Sequence, residues 1–540
     1  MGFFFLVLVF SLLPLGLVIL LLRHDTRRGP VQPPLLEETI PFVSNAWQFA
    51  TNKDAFLERL NKTFKTTPIV RCRVGPITLH FVTGSNNIST LFRSSFTSDP
   101  WVMRILGKSG GYSSSDISKF AEDTSGNAKE PRHAGAGVVP PEKRIWYTKH
   151  CILNESLLSH RSVDALSTSF QAFFNQELAV FPIGTLVEGV HIFDFLKRSL
   201  SAAATKSVLG SQIIDSNPGF IDAFWEYERF VEPLAFGLPI WFNREGIKAR
   251  DRFRAMCLKW YRLAERGSKR NVIDSYNNAD WEPAFGSLVS RKLAWWVQTF
   301  GFSAQSQGAA YALFLFGLHA NTIPICTWIM IELFRDHNLF RAIKEEVSRA
   351  DIADEAGNLN HEKVASLPLL QSVYTETLRL HVRVLITRIS HEPVTIAGYN
   401  LPEGSIVQAP TEVCHRDESV WGVPGHPATE FWGYRHVREV ETRDETGCST
   451  KKLQFSLEGK AGSLFPFGGG LNMCAGRNFA KQEVLLAVAM MVLKLQVESF
   501  QWIQPGGEPS DRPALDDTRF ANSVACPPDR DMKVKWVRLR

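Results

Sequence analysis

Residues 465–477 read Phe-Pro-Phe-Gly-Gly-Gly-Leu-Asn-Met-Cys-Ala-Gly-Arg, and a helix-forming run follows at once. Three consecutive glycines allow a tight loop whose backbone can approach a ligand closely. Cys474 stands just before the predicted helix, where free amides and the helix dipole favour a thiolate over a thiol. With Phe467 as an apolar screen, the segment predicts a cysteine that binds a metal.

Two other interpretations of this segment remain open from the residues alone. Most lone cysteines are small core hydrophobes, and we assign the other seven cysteines of the chain to that class. A glycine-rich loop can also cradle a phosphate, but the Lys and the Ser or Thr of a Walker motif are missing here.

Composition excludes several classes of protein. The 540 residues are 44% hydrophobic and 21% charged, which is typical of a globular chain and not of a disordered or polytopic membrane protein. The 60 Lys and Arg against 55 Asp and Glu leave a net charge of +5, too weak to indicate nucleic-acid binding. None of the eight cysteines forms a CxxC pair, which removes zinc ribbons and c-type haem attachment.

Apolar residues spaced three to four apart predict a mainly helical body. The predicted helices are Asp54–Phe64, Pro141–Leu158, Val163–Ala179, Pro218–Leu234, Lys248–Glu265, Ala304–Arg335, Asn338–Ala350, Leu367–Leu380 and Arg477–Leu495. Short β-branched runs predict the strands Ile69–Val74, Thr78–Val82, Val394–Ala397, Ile406–Ala409 and Lys533–Val537. The predicted fold class is mainly α with small β-sheets.

The N-terminus predicts a single transmembrane helix. Gly2–Leu22 holds 21 residues without a charge, which as a helix would be ~31 Å long and could cross a hydrocarbon core. No Lys or Arg precedes it and arginines follow, which favours an uncleaved anchor with a cytosolic body over a signal peptide or a core helix. We therefore divide the chain into an anchor (1–22), a basic, proline-rich hinge (23–45) and a globular body (46–540).

The pattern Phe467-x-x-Gly470-x-x-x-Cys474-x-Gly476 resembles the haem-binding loop of the cytochrome P450 family. In that family the cysteine thiolate is the proximal ligand of the iron of haem b. The resemblance therefore implies that Cys474 binds the haem iron, with Phe467, Gly470 and Gly476 around the cofactor. The family usually has Arg or His for a haem propionate where this chain has Asn472.

A second match to the family is Glu376-x-x-Arg379 in a predicted helix. Such a pair alone is common on surface helices, but its order and distance from Cys474 resemble the family's paired Glu and Arg. The resemblance implies that both side chains join Arg435 in a buried ion network that supports the loop behind the haem.

The third match lies in the middle of the longest predicted helix. Most members of the family have an acid followed by threonine over the distal face of the haem, where this chain has Asn321 and Thr322. The resemblance implies that these two residues deliver protons. Pro324 should kink the helix locally because it removes a backbone donor. The Asn-Thr-x-Pro pattern resembles the branch with cholesterol 7α-hydroxylase, sterol 12α-hydroxylase and prostacyclin synthase.

Two weaker matches, which together involve three residues, concern the haem propionates. Trp146-x-x-x-His150 resembles the family's helix motif of Trp and a basic residue, with His in place of the usual Arg. Arg388, nine residues after Arg379, occupies the place of another propionate-binding base. The resemblance implies that Trp146, His150 and Arg388 contact the cofactor.

The resemblance implies a haem-thiolate monooxygenase that takes electrons from NADPH-cytochrome P450 reductase at the endoplasmic reticulum membrane, anchored in lipid by its N-terminal helix. The substrate would be a large apolar small molecule, as in filamentous-fungal members that oxidise terpenoid, sterol or polyketide intermediates of secondary metabolism. Two alternatives stay open. One is a haem-thiolate isomerase or dehydratase that acts on a lipid peroxide without reductase. The other is a membrane-anchored haem-binding protein without turnover.

Two polar stretches and one aromatic stretch complete the expectations. Gly107–Pro141 is rich in Gly and Ser and predicts a lid or a surface loop. His436–Lys460 is rich in charge and predicts a solvated surface segment. The aromatic side chains of Phe220–Phe242 favour a large apolar ligand, although aromatic residues at helical spacing more often belong to a core.

Overall fold

The computed structural model describes residues 32–93, 95–130, 139–236, 243–267, 281–349, 351–355, 357–443, 449–521 and 524–539. The predicted anchor and the first part of the hinge, up to residue 31, lie outside the described residues. The chain divides into two compact units, each described by itself below. The first unit holds the residues up to Thr97 with Thr387–Ala409, and the second holds Ser98–Ile386 with Pro410–Arg540.

The described helices agree with the predicted mainly helical fold. In chain order they are α1 Ser44–Thr51, α2 Lys53–Phe64, α3 Ser85–Leu91, α4 Asp99–Ile105, α5 Ser114–Glu122, α6 Ile145–Leu158, α7 His160–Leu178, α8 Ile192–Leu209, α9 Gln212–Asp215, α10 Phe220–Phe236, α11 Arg244–Gly267, α12 Leu288–Thr299, α13 Ala304–His319, α14 Thr322–Arg335, α15 His337–Val347, α16 His361–Ser366, α17 Pro368–His381, α18 Thr411–His415, α19 Glu418–Trp421 and α20 Arg477–Lys494. Each predicted helix overlaps one of these, and Ala304–Arg335 corresponds to two.

The strands form small sheets, as predicted. They are β1 Ile69–Val74, β2 Ile77–Val82, β3 Phe96–Thr97, β4 Leu186–His191, β5 Leu385–Ser390, β6 Val394–Ile396, β7 Tyr399–Leu401, β8 Ile406–Pro410, β9 Val437–Arg443, β10 Ser449–Phe455, β11 Leu495–Ile503, β12 Pro509–Ser510 and β13 Asp531–Arg538. The first unit contains a sheet in the order β1-β2-β8-β5-β3, in which β2 and β8 run parallel and β1 and β2 antiparallel. In the second unit, β12-β11-β13-β4 form one sheet and β9 and β10 form a hairpin.

The core of the second unit is built around α14. This helix packs against α8, α17 and α20, and nearly all of its side chains are buried. A helix that is apolar on every side is stable only when other elements surround it. Among the described residues, one run, Ala304–Arg335, is long and apolar enough to cross a membrane, and 72% of its most apolar part is buried. We interpret it as a core helix.

This long run is broken where Pro324 predicts a kink. Helix α13 ends at His319, Ala320 and Asn321 form a turn, and α14 begins at Thr322. Pro324 has no N–H to donate to the Ala320 carbonyl four residues earlier, so the ladder of helical hydrogen bonds is interrupted there. The predicted kink is confirmed, and it places the two polar residues at the break.

The predicted loop over Gly107–Pro141 is wrong for its first part. Helix α5 occupies residues 114–122, and its N-terminus is capped because the Ser113 hydroxyl accepts the N–H of Asp116 at 3.2 Å. The Asp116 carboxylate is buried and accepts from the hydroxyl of Ser303 at 2.6 Å. Serine at a helix start satisfies backbone donors, so the serines that suggested a loop instead mark a cap.

Candidate functional site

The predicted cysteine loop has the expected shape, a tight turn that leads into a helix. The backbone N–H of Cys474 donates to the Phe467 carbonyl at 3.0 Å. Gly468 and Gly470 have φ angles of 69° and 65°, in the left-handed region that other residues rarely adopt. Helix α20 begins at Arg477, directly after Gly476. The loop therefore presents the cysteine side chain just ahead of a helix N-terminus.

The Cys474 side chain is exposed at the protein surface. Desolvation by the surrounding protein raises the pKa of this thiol, while the nearby backbone N–H groups of Gly476 and Arg477 and the Arg477 charge lower it. The net direction is upward. The expectation that the helix N-terminus alone favours a thiolate is therefore wrong, because desolvation outweighs it. A coordinated cation would supply the missing positive charge.

Glu376 and Arg379 of α17 form a buried bidentate ion pair. Arg379 Nε and Nη2 each donate to a Glu376 carboxylate oxygen at 2.8 Å, and neither side chain has exposed surface. Arg379 Nη1 also donates to the carbonyls of His415 and Ala428, at 2.6 and 2.5 Å. Each nitrogen of the buried guanidinium thereby donates to at least one acceptor.

Arg435 lies against the same carboxylate, so the structure brings the three predicted residues of the network together. Its Nε donates to Glu376 Oε1 at 2.8 Å. Its remaining N–H groups donate to the carbonyls of Trp421, His426, Pro427 and Glu430, at 2.6–3.1 Å. A rigid fork of five donors is the feature that lets arginine organise such a loop, whereas lysine has three.

His436 also contacts Glu376, and the sequence did not predict it. The Nε2 of this buried imidazole lies 3.1 Å from Glu376 Oε2. Burial alone would raise the pKa of Glu376, but hydrogen bonds from Arg379 and His436 outweigh it and lower the pKa to about 2. The expectation of a solvated segment from His436 onward is therefore wrong at its first residue and right for the exposed hairpin that follows.

His415, also missed, connects the network to the cysteine loop. Its carbonyl accepts from Arg379, and its Nε2 accepts the backbone N–H of Phe465 at 3.0 Å. Burial lowers the pKa of His415 to about 3, so the ring is neutral near pH 7 and its Nε2 is available as an acceptor. A chain of hydrogen bonds thus runs from Glu376 through Arg379 and His415 to the first residue of the loop.

The predicted distal pair lies at the break between α13 and α14, where the two side chains have different partners. The Thr322 hydroxyl donates to the Leu318 carbonyl at 2.6 Å. The side-chain oxygen of Asn321 accepts the backbone N–H of Ala525 at 2.8 Å. Asn321 therefore tethers the C-terminal segment, a role that its position in the sequence could not indicate.

The four residues expected near the propionates have protein partners in the structure. Asn472 Oδ1 accepts from Asn127 Nδ2 at 2.8 Å, and the Trp146 indole N–H donates to the Phe120 carbonyl at 3.0 Å. His150 Nε2 lies 2.8 Å from Asn154 Nδ2. In the first unit, the Arg388 guanidinium lies 5.7 Å from the centre of the Phe92 ring and donates to the Thr387 carbonyl at 3.0 Å.

Glu483 of α20 is a further buried acid that the sequence analysis did not single out. It has no exposed surface, and both carboxyl oxygens lack a hydrogen-bond partner among the described residues. Burial raises its pKa well above the ordinary value. Burial raises the pKa values of Tyr374 and Cys326, and the nearby Glu483 carboxylate raises them further. A carboxyl in such surroundings holds its proton because the charged form cannot be solvated.

We expect Glu483→Gln to stabilise the protein increasingly as pH rises. Above pH 4.5 the unfolded wild type releases this proton while the folded state keeps it, so the wild-type free energy of unfolding falls by about 1.4 kcal/mol per pH unit from this group. Glutamine does not titrate, so the variant lacks that loss. Urea unfolding at pH 5, 6, 7 and 8 measures the slope, and Glu483→Asp, which still titrates, is the control. Equal slopes for wild type and Glu483→Gln would contradict the prediction.

The cysteine loop fits a haem iron. The Cys474 sulfur is accessible, the backbone N–H groups of Gly476 and Arg477 lie near it, and two left-handed glycines keep the loop free of side-chain bulk. Backbone N–H groups near an iron-bound thiolate stabilise its negative charge and tune the metal. Cys474 would hold the iron.

Known proteins agree with this site and this fold. The cytochrome P450 family profile matches residues 300–515, which include the distal pair, the ion network and Cys474. Cytochrome P450 monooxygenase calL of Penicillium decumbens is 36% identical, over 94% of this chain and 93% of its own. Cytochrome P450 7A1 of Oryctolagus cuniculus is 23% identical over 94% of each chain. The structure of retinoic acid-bound cyanobacterial CYP120A1 has a TM-score of 0.62 at 17% identity, covering 94% of this chain and 99% of that one.

The fold is that of the cytochrome P450 structure compared above. The similarity to calL over nearly the whole of both chains settles the family: this chain belongs to the cytochrome P450 family. The predicted enzyme class, a cytochrome P450 monooxygenase, is confirmed, and the family implies a haem-iron cofactor. Monooxygenases of this family take their electrons from a redox partner.

Proposed function

We propose that this protein oxidises a large apolar substrate with dioxygen and electrons from NADPH-cytochrome P450 reductase, using haem b held by Cys474. The observation that carries the proposal is the accessible Cys474 sulfur, which stands in a glycine loop directly ahead of helix α20. When bound, haem supplies the activation of dioxygen, and the protein supplies orientation and protons.

In this proposal Thr322 is the residue that handles a proton. Its hydroxyl lies at the helix break and donates to the Leu318 carbonyl, so it can accept a second hydrogen bond and pass a proton on. Asn321 acts as a positioning residue because its side-chain oxygen already holds the Ala525 N–H. Trp146, His150 and Asn472 are proposed to contact the propionates.

We propose a substrate of the terpenoid, sterol or polyketide type from fungal secondary metabolism. Support comes from the fungal relatives, which include calL and the P450 monooxygenase efuG of Hormonema carpetanum, 25% identical over 87% of this chain. Cytochrome P450 7A1 is a further relative, at 23% identity over 94% of each chain. We further propose that the helix over 1–22 anchors the protein in the endoplasmic reticulum membrane, with the body in the cytosol.

A carbon monoxide difference spectrum of the reduced full-length protein tests the haem-thiolate site. We expect the Soret band that is diagnostic of thiolate-ligated haem. A protein that binds haem without this band would contradict the assignment of Cys474.

NADPH and oxygen consumption with the reductase then separate the candidate reactions. The lipid-peroxide isomerase is the second candidate, favoured by Asn321 standing where most members have an acid. Substrate turnover without NADPH or oxygen would contradict the proposed monooxygenase reaction and support the isomerase reaction. Any oxidised product formed in their presence would eliminate a non-catalytic haem-binding protein.

A further inference from the structure

A cavity of about 670 Å³ borders the helix break in the second unit. Pro324, two residues after Thr322, forms part of its wall, as does Val524, next to the Ala525 N–H that Asn321 holds. Helices α8 and α10 and the chain after β11 close the other sides. A molecule in this cavity would therefore contact Pro324, in the first turn of the helix that begins at Thr322.

Two titratable side chains in the wall of this cavity, Lys197 and Glu228, do not form an ion pair with each other. Glu228 of α10 is 94% buried, with 6% of its surface exposed, and has no hydrogen bond or ion pair among the described residues. Lys197 of α8 is close enough to lower the pKa of Glu228, but the two do not approach within the 4.0 Å of an ion pair. A carboxyl buried at a cavity wall without a hydrogen-bond partner destabilises the folded protein unless a ligand or a water molecule forms a hydrogen bond with it.

Aromatic rings fix the position of Lys197. Its Nζ lies 4.3 Å from the centre of the Phe193 ring and 5.2 Å from that of Trp225. The Trp225 indole N–H donates to the Lys197 carbonyl at 3.0 Å, which locks the ring beside the amine. Aromatic rings stabilise the positive charge of an ammonium, but its N–H groups can still donate hydrogen bonds to other acceptors. The ammonium therefore keeps donors for a ligand.

The cavity offers hydrogen-bond donors beside aromatic rings, within a lining that also carries acidic and basic side chains. An ammonium has three donors and no acceptor. Burial raises the pKa of Glu228 to about 8, so near pH 7 the carboxyl is mostly protonated and can donate as well. Trp225, Phe230 and Phe316 supply apolar surface around these two groups. Two donors beside aromatic rings fit an apolar molecule that ends in an accepting oxygen.

We propose that this cavity binds the oxygenated end of the substrate, a carboxylate or carbonyl group on an otherwise apolar molecule, and that Lys197 and Glu228 hold that group. The inference rests on the proposed function, because it takes the occupant of the cavity to be the substrate. The substrate then arrives already oxidised at one end. An earlier reaction that creates a carbonyl or carboxyl group must supply it.

Isothermal titration calorimetry with three matched probes tests the binding. Dodecanoic acid carries a carboxylate, dodecan-2-one a carbonyl, and dodecane no oxygen. We expect the full-length haem-loaded wild type in detergent to bind the acid and the ketone at least about tenfold more tightly than dodecane, because a hydrogen bond to a charged group contributes that much. Lys197→Met should weaken the binding of dodecanoic acid at least about tenfold and leave the affinity for dodecane within about threefold of the wild-type value.

Two variants of Glu228 separate the binding role from a structural one, and a third variant, at Asp222, is the control. Glu228→Gln keeps a donor and should bind the ketone within about threefold of wild type, whereas Glu228→Leu should lose the preference for the ketone over dodecane. Asp222→Asn removes a charge from the exposed face of the same helix and should leave all three affinities unchanged.

Equal affinity of wild type for all three probes, the absence of binding, or a parallel loss of all three in Lys197→Met would overturn the inference. Calorimetry needs no turnover, so its result is independent of the reaction. A preparation that shows the thiolate-type carbon monoxide band but does not discriminate the probes overturns this inference alone. A preparation that holds haem without that band overturns the proposed function, whatever the probes do.

Discussion

Replacing Arg379 by leucine is expected to lower the free energy of unfolding by about 3–5 kcal/mol, the usual cost of removing one partner of a buried ion pair. The Glu376 carboxylate would lose both bidentate hydrogen bonds, and the carbonyls of His415 and Ala428 would lose theirs. Because His415 also holds the N–H of Phe465, the cysteine loop should loosen. We therefore expect less haem per protein as well as a lower midpoint in urea unfolding.

A surface pair provides the matched control for this variant. Arg252 and Glu226 form an ion pair at 2.9 Å with half of each side chain exposed, and Arg252→Leu should change stability by less than about 1 kcal/mol. If Arg379→Leu fails to fold, Arg435→Lys gives the second measurement. It keeps the charge but cannot satisfy all the carbonyls that Arg435 now holds. Wild-type stability and haem content in both variants would show that the network does not support the loop.

The pH dependence of the network has a defined sign. The pKa of Glu376 is lowered to about 2 in the folded protein from an ordinary value of 4.5. Its contribution to stability is therefore present above pH 4.5 and is lost as pH falls toward about 2. This is opposite in direction to Glu483, whose raised pKa makes stability fall as pH rises above 4.5. The two groups belong to neighbouring helices and differ only in whether hydrogen-bond donors surround them.

The features of the site that could be predicted from the sequence depend on neighbouring residues or on a fixed spacing of residues along the chain. Glycines before Cys474 and a helix after it determine the loop, because both depend on neighbouring residues. Pro324 breaks its own helix in the same local way. Glu376, Arg379 and Arg435 were identified together only because their order along the chain resembles a known family.

The rest depends on contacts between residues far apart in the chain. Asn321 meets Ala525 across 204 residues, and nothing near either residue indicates the pair. His436 heads a charge-rich segment, so its burial against Glu376 could not be distinguished from exposure. Glu483 did leave a signal, since it stands on the same helical face as Ala480 and Ala487 and directly precedes the uncharged apolar run 484–493. An acid at such a position predicts a buried, protonated carboxyl.

Replacing Cys474 by alanine is expected to abolish both the thiolate-type carbon monoxide band and all product formation. Six other described cysteines are present, five of them buried and one half-buried, and none other stands in the glycine loop ahead of α20. The sulfur beside the backbone N–H groups of Gly476 and Arg477 is therefore not replaceable by a neighbour. Spectra of the reduced protein with carbon monoxide and product analysis with the reductase measure the two effects.

The control for this variant is Cys151→Ser, which changes a half-buried thiol of α6 and should retain the band and the activity. Cys474→Ser, which keeps the size of the side chain but offers a hydroxyl, separates ligation from packing. Because a hydroxyl is not a thiolate, the serine variant should lose the thiolate band even where its stability in urea equals that of wild type. Retention of that band in either Cys474 variant would mean that another residue binds the iron.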